Sequence, residues 1–129
     1  MSKLDDFLNL SDVCEIKKTI TVNLGGKDFE LVIRPITEEE HTEFQRRSNV
    51  INKNKVTFDS GKYSSLVLEA CIIEPNFKDA EFLKKAKCVS ATEFINKKFP
   101  AGVVADISQK IQEISGFESY DLEIENAKN

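Results

Sequence analysis

The chain has 129 residues, 40% apolar and 31% charged, with a net charge of −4. That length favours one domain with a core of its own and excludes dependence on disulfide staples, while the apolar share excludes wholesale disorder. The acidic excess lies at the end of the chain: residues 1–112 hold 17 acidic and 17 basic side chains, and 113–129 hold five acids against Lys128, a distribution that repels phosphate and argues against general nucleic-acid binding.

In chain order, Ser2–Leu10 sets Leu4, Phe7 and Leu8 at helical spacing, a short amphipathic helix that needs something to pack on. Ile20, Val22 and Leu24 then alternate with polar residues, and after Gly25-Gly26 so do Phe29, Leu31 and Ile33. A two-residue turn at the glycines places Val22 opposite Phe29 and Ile20 opposite Leu31, gathering both apolar sets on one face of a hairpin that must lie on helices. Thr37 and Glu40 form a capping box for a helix running to about Asn49, with Glu38, Glu39 and Glu40 against its positive end. Asn49–Ser60 reads as a polar, lysine-rich loop, with Val56 and Phe58 as anchors or a brief strand, and its basic cluster (Arg46, Arg47, Lys53, Lys55, Lys62) as a solvated face.

Asp59 or Ser60 caps the next helix, predicted through Ile73, with Tyr63, Leu66, Val67, Ala70 and Cys71 on its buried stripe and Pro75 as the stop. A short helix over Asp79–Ala86 follows. Ser90 and Glu93 predict a second capping box, with Val89 and Phe94 spaced as a hydrophobic staple. The last helix, Ala101–Ser115, carries Val104, Ile107, Ile111 and Ile114 on one stripe; Gly116 stands at the left-handed stop, and Phe117 is predicted to fold back towards Ile111. The reading is therefore α+β, an N-terminal antiparallel β-hairpin packed on four to five α-helices. It is one domain over 1–129, with a globular body 1–117 and an acidic tail 118–129. Leu122 and Ile124 in that tail are free to pack as an edge strand, bind a client or stay mobile.

The residues offer catalysis little. His41 is the only histidine and lies one turn into an acidic helix, so no Ser/His/Asp or Cys/His arrangement exists without it. Adjacent helical residues point about 100° apart, so Glu38, Glu39 and Glu40 cannot converge on a metal. Gly25-Gly26-Lys27-Asp28 lacks phosphate-loop spacing and lies between strands. Cys14, Cys71 and Cys88 are odd in number and far apart, with no CxxC or Cys/His pair, and no apolar run approaches the ~20 residues of a membrane span. The expectation is a cytoplasmic protein with no enzyme activity, cofactor, metal or membrane contact, which acts by binding another protein.

Three stretches carry a family resemblance: "FELVIRPITEEE" (Phe29–Glu40), "DSGKYSSLVLEACIIEPNFKDAEF" (Asp59–Phe82) and "FPAGVVADISQKIQEISGF" (Phe99–Phe117), with the ending "IENAKN" (Ile124–Asn129). In order and spacing the chain resembles the XkdN-like tail assembly chaperones of long-tailed phages and phage-like elements of Gram-positive bacteria. The resemblance implies a protein that binds the long, largely helical tape measure protein, keeps it soluble and assists tail tube polymerisation around it, in the host cytoplasm and absent from the finished virion. It also implies the tail tube protein as a further partner, leaves self-association open, and transfers no catalytic residue. The competing expectation is a structural tail or connector protein retained in the virion. A chaperone needs apolar surface that a client helix can lie in. Phe94, Phe99 and Val103, which fall outside the main stripes, with Ile107, Leu122 and Ile124, are the candidate partner-binding residues, against the alternative that they complete the core.

Overall fold

The structure, a computed structural model, describes residues 3–117. Strands β1 (Lys18–Leu24) and β2 (Lys27–Ile33) form the expected antiparallel hairpin, with Val22 paired to Phe29 and Ile20 to Leu31. The two-residue turn works because Gly25 and Gly26 adopt φ of 63° and 85°, the left-handed backbone a tight hairpin turn requires. Asn23 fastens it: its side-chain oxygen accepts the Gly26 N–H at 3.2 Å, and its amide donates to Asp28 at 3.0 Å.

Helix α2 (Glu38–Arg47) starts at the Thr37 capping box, with both reciprocal hydrogen bonds present. The segment read as a lysine-rich loop is instead a second ribbon, β3 (Asn49–Asn52) paired with β4 (Lys55–Phe58). Its turn falls on Lys53 and Asn54 at φ of 47° and 69°; with no glycine there, only Asn54 hints at a left-handed turn. Ser48 anchors the ribbon's base, donating its buried hydroxyl to the Phe44 carbonyl at 2.7 Å while its own carbonyl accepts the Asp59 N–H at 2.8 Å.

Asp59 caps α3 (Ser60–Cys71), which stops two residues before the predicted end. Ile72–Glu74 turns extended as β5 and joins the open edge of β2, giving a three-stranded sheet in the order β1-β2-β5. The correction has a clear cause: Ile72 and Ile73 are β-branched, and the β2 edge offers unpaired backbone groups, beginning with Arg34 N–H to Cys71 carbonyl at 2.9 Å. Helix α4 (Ala80–Ala86) is capped by Asp79, and α5 (Ala91–Lys98) by Ser90. The predicted second capping box is only half made, because Glu93 accepts from Val89 N–H, one residue earlier than a box requires. The staple is absent too, with Val89 90% exposed.

Helix α6 (Ala101–Ile114) ends in a Schellman motif: Gly116, at φ 90°, donates to the Glu113 carbonyl at 3.2 Å and Phe117 to the Gln112 carbonyl at 3.0 Å. The core lies between the sheet and the helices. Ile20, Val22, Leu31 and Ile33 face Val67, Leu68 and Cys71 of α3 and Ile107 and Ile111 of α6, with Phe44, Ile95 and Phe99 closing the sides. The N-terminal helix α1 (Lys3–Leu8), expected to need a packing partner, buries no residue.

Candidate partner-binding surfaces

Where catalysis was tested in the sequence, the geometry shows packing. His41 is half-buried and has close neighbours. Its Nδ1 lies 2.5 Å from the Tyr63 hydroxyl, and its ring sits against Tyr63 and Phe117 at centroid distances of 5.6 and 5.1 Å. Phe58, 5.8 Å from Tyr63, extends the row to the β3–β4 ribbon. Phe117 therefore packs on His41, its N–H turned back to the Gln112 carbonyl. Burial pushes the Tyr63 phenol up from its ordinary value and drives the Cys71 thiol up to about 12, so neither is a ready nucleophile. The three adjacent glutamates diverge. Glu40 meets Arg34, whose hydrogen bonds hold its carboxyl down at about 2 against the opposing cost of burial, while Glu38 accepts from Thr42 at 3.3 Å. Among the described residues, no three His, Cys, Asp or Glu side chains gather as a metal site.

The four candidate partner residues that fall within the described chain do not form one exposed face. Ile107 is fully buried and Phe99 only 7% exposed, both in the core. Phe94 is half-buried in an aromatic cluster, its ring 4.8 Å from Phe82 and 5.4 Å from Phe77, with Phe99 at 6.4 Å. Val103 is half-buried against the same core. The cause is the segment before α5: Phe77 lies 5.4 Å from Phe94 and 5.9 Å from Phe99, and Phe82 closes on Phe94 from α4. Leu122 and Ile124 lie outside the described residues.

What the helices do leave open is a groove of about 700 Å³ between α3, α5 and α6. Phe99 and Val104 supply its apolar lining; Ser64 and Ser65 from α3 and Ala101, Ala105 and Ser108 from α6 line it with small side chains, and Asn96, Gln109 and Gln112 add polar ones. Small side chains let a backbone approach closely, and an apolar strip edged by amides suits an amphipathic helix lying lengthwise. Sequence reasoning missed this surface. Its signal was the run Ala101, Ala105, Ser108, Gln112 at spacings of four, three and four, a second face of α6 beside the core stripe.

Two further apolar surfaces stand clear of the core. On α1 and the residue pair after it, Leu4, Phe7, Leu8 and Leu10 are 67–81% exposed. On the ribbon, the pairing of Ile51 with Val56 and of Asn49 with Phe58 sets Ile51, Val56 and Phe58 on one face, where they are 77%, 66% and 48% exposed.

A model of the phage XkdN-like tail assembly chaperone family matches residues 4–128, nearly the whole chain. Among solved structures, the crystal structure of the protein yqbn is similar in fold, with a TM-score of 0.57 at 18% identity over 79% of this chain and 87% of that one. No curated protein matches the chain.

Proposed function

The chain belongs to the XkdN-like phage tail assembly chaperones, and we propose that within this role it binds the tape measure protein, keeps it soluble and assists tail tube polymerisation. The observation that carries the reading is the α3–α5–α6 groove, about 700 Å³ with Phe99 and Val104 in its lining. A long, largely helical client with an apolar stripe aggregates unless that stripe is covered. A groove built from helix faces and small side chains covers one segment of it reversibly. The chaperone's own surface stays charged enough to remain dispersed. The work is done in the host cytoplasm, and the protein is left out of the finished particle.

Co-expression with the tape measure protein tests this. The soluble yield of the tape measure protein should rise, and the pair should co-purify through a high-salt wash, because apolar burial is little screened by salt. If both proteins stay soluble apart and never co-purify even at low salt, the chain is instead a structural tail component, and it will then be found in purified virions.

A further inference from the structure

The three-stranded sheet has two edges, and they are guarded unequally. β5 is three residues long, joins β2 across a register shift between Val32 and Ile33, and runs into Pro75. A short, irregular strand stopped by proline is a poor template for another strand. β1 has none of these devices. Its seven residues pair with β2 without interruption from Lys18 to Leu24, Thr19 to Val22 are all β-branched, and its one charge, Lys18, stands at its end. The turn decides which backbone groups look outward. Leu24 and Lys27, flanking a two-residue turn, exchange hydrogen bonds, and so does every second pair from there, so Lys18, Ile20 and Val22 spend their backbone groups on β2. Thr19, Thr21 and Asn23 turn theirs outward, and among the described residues no hydrogen bond reaches those groups.

We propose that the β1 edges of two copies pair antiparallel about a two-fold axis at Thr21, joining their sheets into one of the order β5-β2-β1-β1-β2-β5. This register uses every outward group: Thr21 faces Thr21 of the second copy, and Thr19 faces Asn23 in both directions, each pair exchanging two hydrogen bonds. On the face towards the helices it sets Ile20 beside the second copy's Val22, so the buried apolar surface of the sheet continues across the axis. The charge pattern selects a second copy. A two-fold axis sets the central residue against itself, where a charge would repel its own like; Thr21 is neutral, and Lys18 falls opposite Leu24, far from its own copy. A helical client has no strand edge to offer. The two β5 edges remain outermost and guarded, so association closes at the dimer. No residue of the α3–α5–α6 groove takes part, and the dimer is read without any client.

The test uses the full chain in sedimentation equilibrium across a concentration series. The expected result is a monomer–dimer equilibrium with no larger species, little changed by salt, since the bonds across the axis join uncharged groups. Thr21→Lys and Thr21→Glu should each raise the dissociation constant at least about tenfold, by setting like charges against each other on the axis. The circular dichroism of both should match the parent's, because the Thr21 side chain is exposed. Mixing the two variants should restore the dimer, because lysine then meets glutamate, and that rescued dimer should weaken as salt rises. A monomer at every concentration overturns the proposal. So does association that survives both substitutions, or a mixture no tighter than its components, either of which would place the contact away from Thr21. Assembly beyond the dimer also overturns it, because a two-fold pairing of β1 leaves no second edge open.

Discussion

Arg34 and Glu40 meet side by side, Nη1 to Oε1 and Nη2 to Oε2, both at 2.8 Å, across the bend that carries β2 into α2. The same Oε1 accepts the Thr37 N–H at 3.1 Å, so one carboxylate closes the capping box and holds the end of the sheet. The pair is only 13% and 24% exposed, which lifts it above the usual weak surface ion pair. Glu40 is held at about 2 against an ordinary 4.5, chiefly by the Arg34 hydrogen bonds. A depressed carboxyl contributes stability above its unfolded pKa and loses it as pH falls through the folded one. The contribution, on the order of 1–3 kcal/mol, is therefore whole above pH 4.5 and fades between 4.5 and 2. Urea melts should show Glu40→Gln less stable than the parent at pH 7, with the gap narrowing across that window. A constant gap at all pH values would mean the pair contributes no net charge stabilisation.

The hairpin turn yields a second expectation. A Cβ on Gly25 or Gly26 meets nothing within 4 Å, so the cost of a side chain there lies in the positive φ alone. Gly26→Val should lower stability by about 1–2 kcal/mol, since a β-branched residue resists the left-handed region. Gly102→Ala, inside α6 with equal space and no positive φ, should be neutral or stabilising by up to about 1 kcal/mol. Thermal melts of the two variants separate backbone strain from crowding; equal losses would refute the turn assignment.

Thiol chemistry follows from burial. Cys14 is exposed and Cys88 half-buried, whereas Cys71 is enclosed in the core with its thiol pushed up to about 12 by desolvation. Alkylation of the native protein should modify Cys14 first, and Cys71 only at the rate of unfolding. Fast native labelling of Cys71, read by peptide mass spectrometry, would contradict the packing of α3 on the sheet.

His41 is worth more to packing than its sequence context suggested. His41→Ala removes the hydrogen-bond partner of the half-buried Tyr63 hydroxyl and a face for Phe117, a loss of about 1–2 kcal/mol. Tail assembly should nonetheless continue, since the ring only packs. A folded variant that blocks assembly would reveal a functional role for the ring.

The first hairpin was legible because its turn chemistry and its apolar alternation name the same register, and α2 because a capping box leaves little choice of start. The second ribbon was hidden by Lys53, a residue with no special claim on a left-handed turn, and by Val50, whose place on the opposite face from Ile51 masks the alternation. β5 was unreadable locally: Ile72 and Ile73 continue the apolar face of α3, and only the distant β2 edge recruits them as a strand. The surroundings of Phe94 and Phe99 were hidden for the same reason. Phe94 and Phe99 look spare on α5 alone, and it takes Phe77 and Phe82, from the segment before it, to enclose them.

The groove can be separated from the core beneath it by two neighbouring positions on α6. Ala105 is exposed and lines the groove, so Ala105→Arg should fill the space a client helix needs without touching the interior. Ile107 is fully buried two residues away, and Ile107→Ala should open a cavity costing about 2–5 kcal/mol. The expected pattern is a crossover. Ala105→Arg keeps the parental melt and loses the solubilisation of the tape measure protein; Ile107→Ala melts early, yet still solubilises it at temperatures where it remains folded. Phe94→Asp and Val103→Asp belong with Ile107→Ala, because both side chains press on the core and a carboxylate there is desolvated without a partner. If Ala105→Arg solubilises the tape measure protein as well as the parent does, the client lies elsewhere on the molecule, and the groove has no part in binding it.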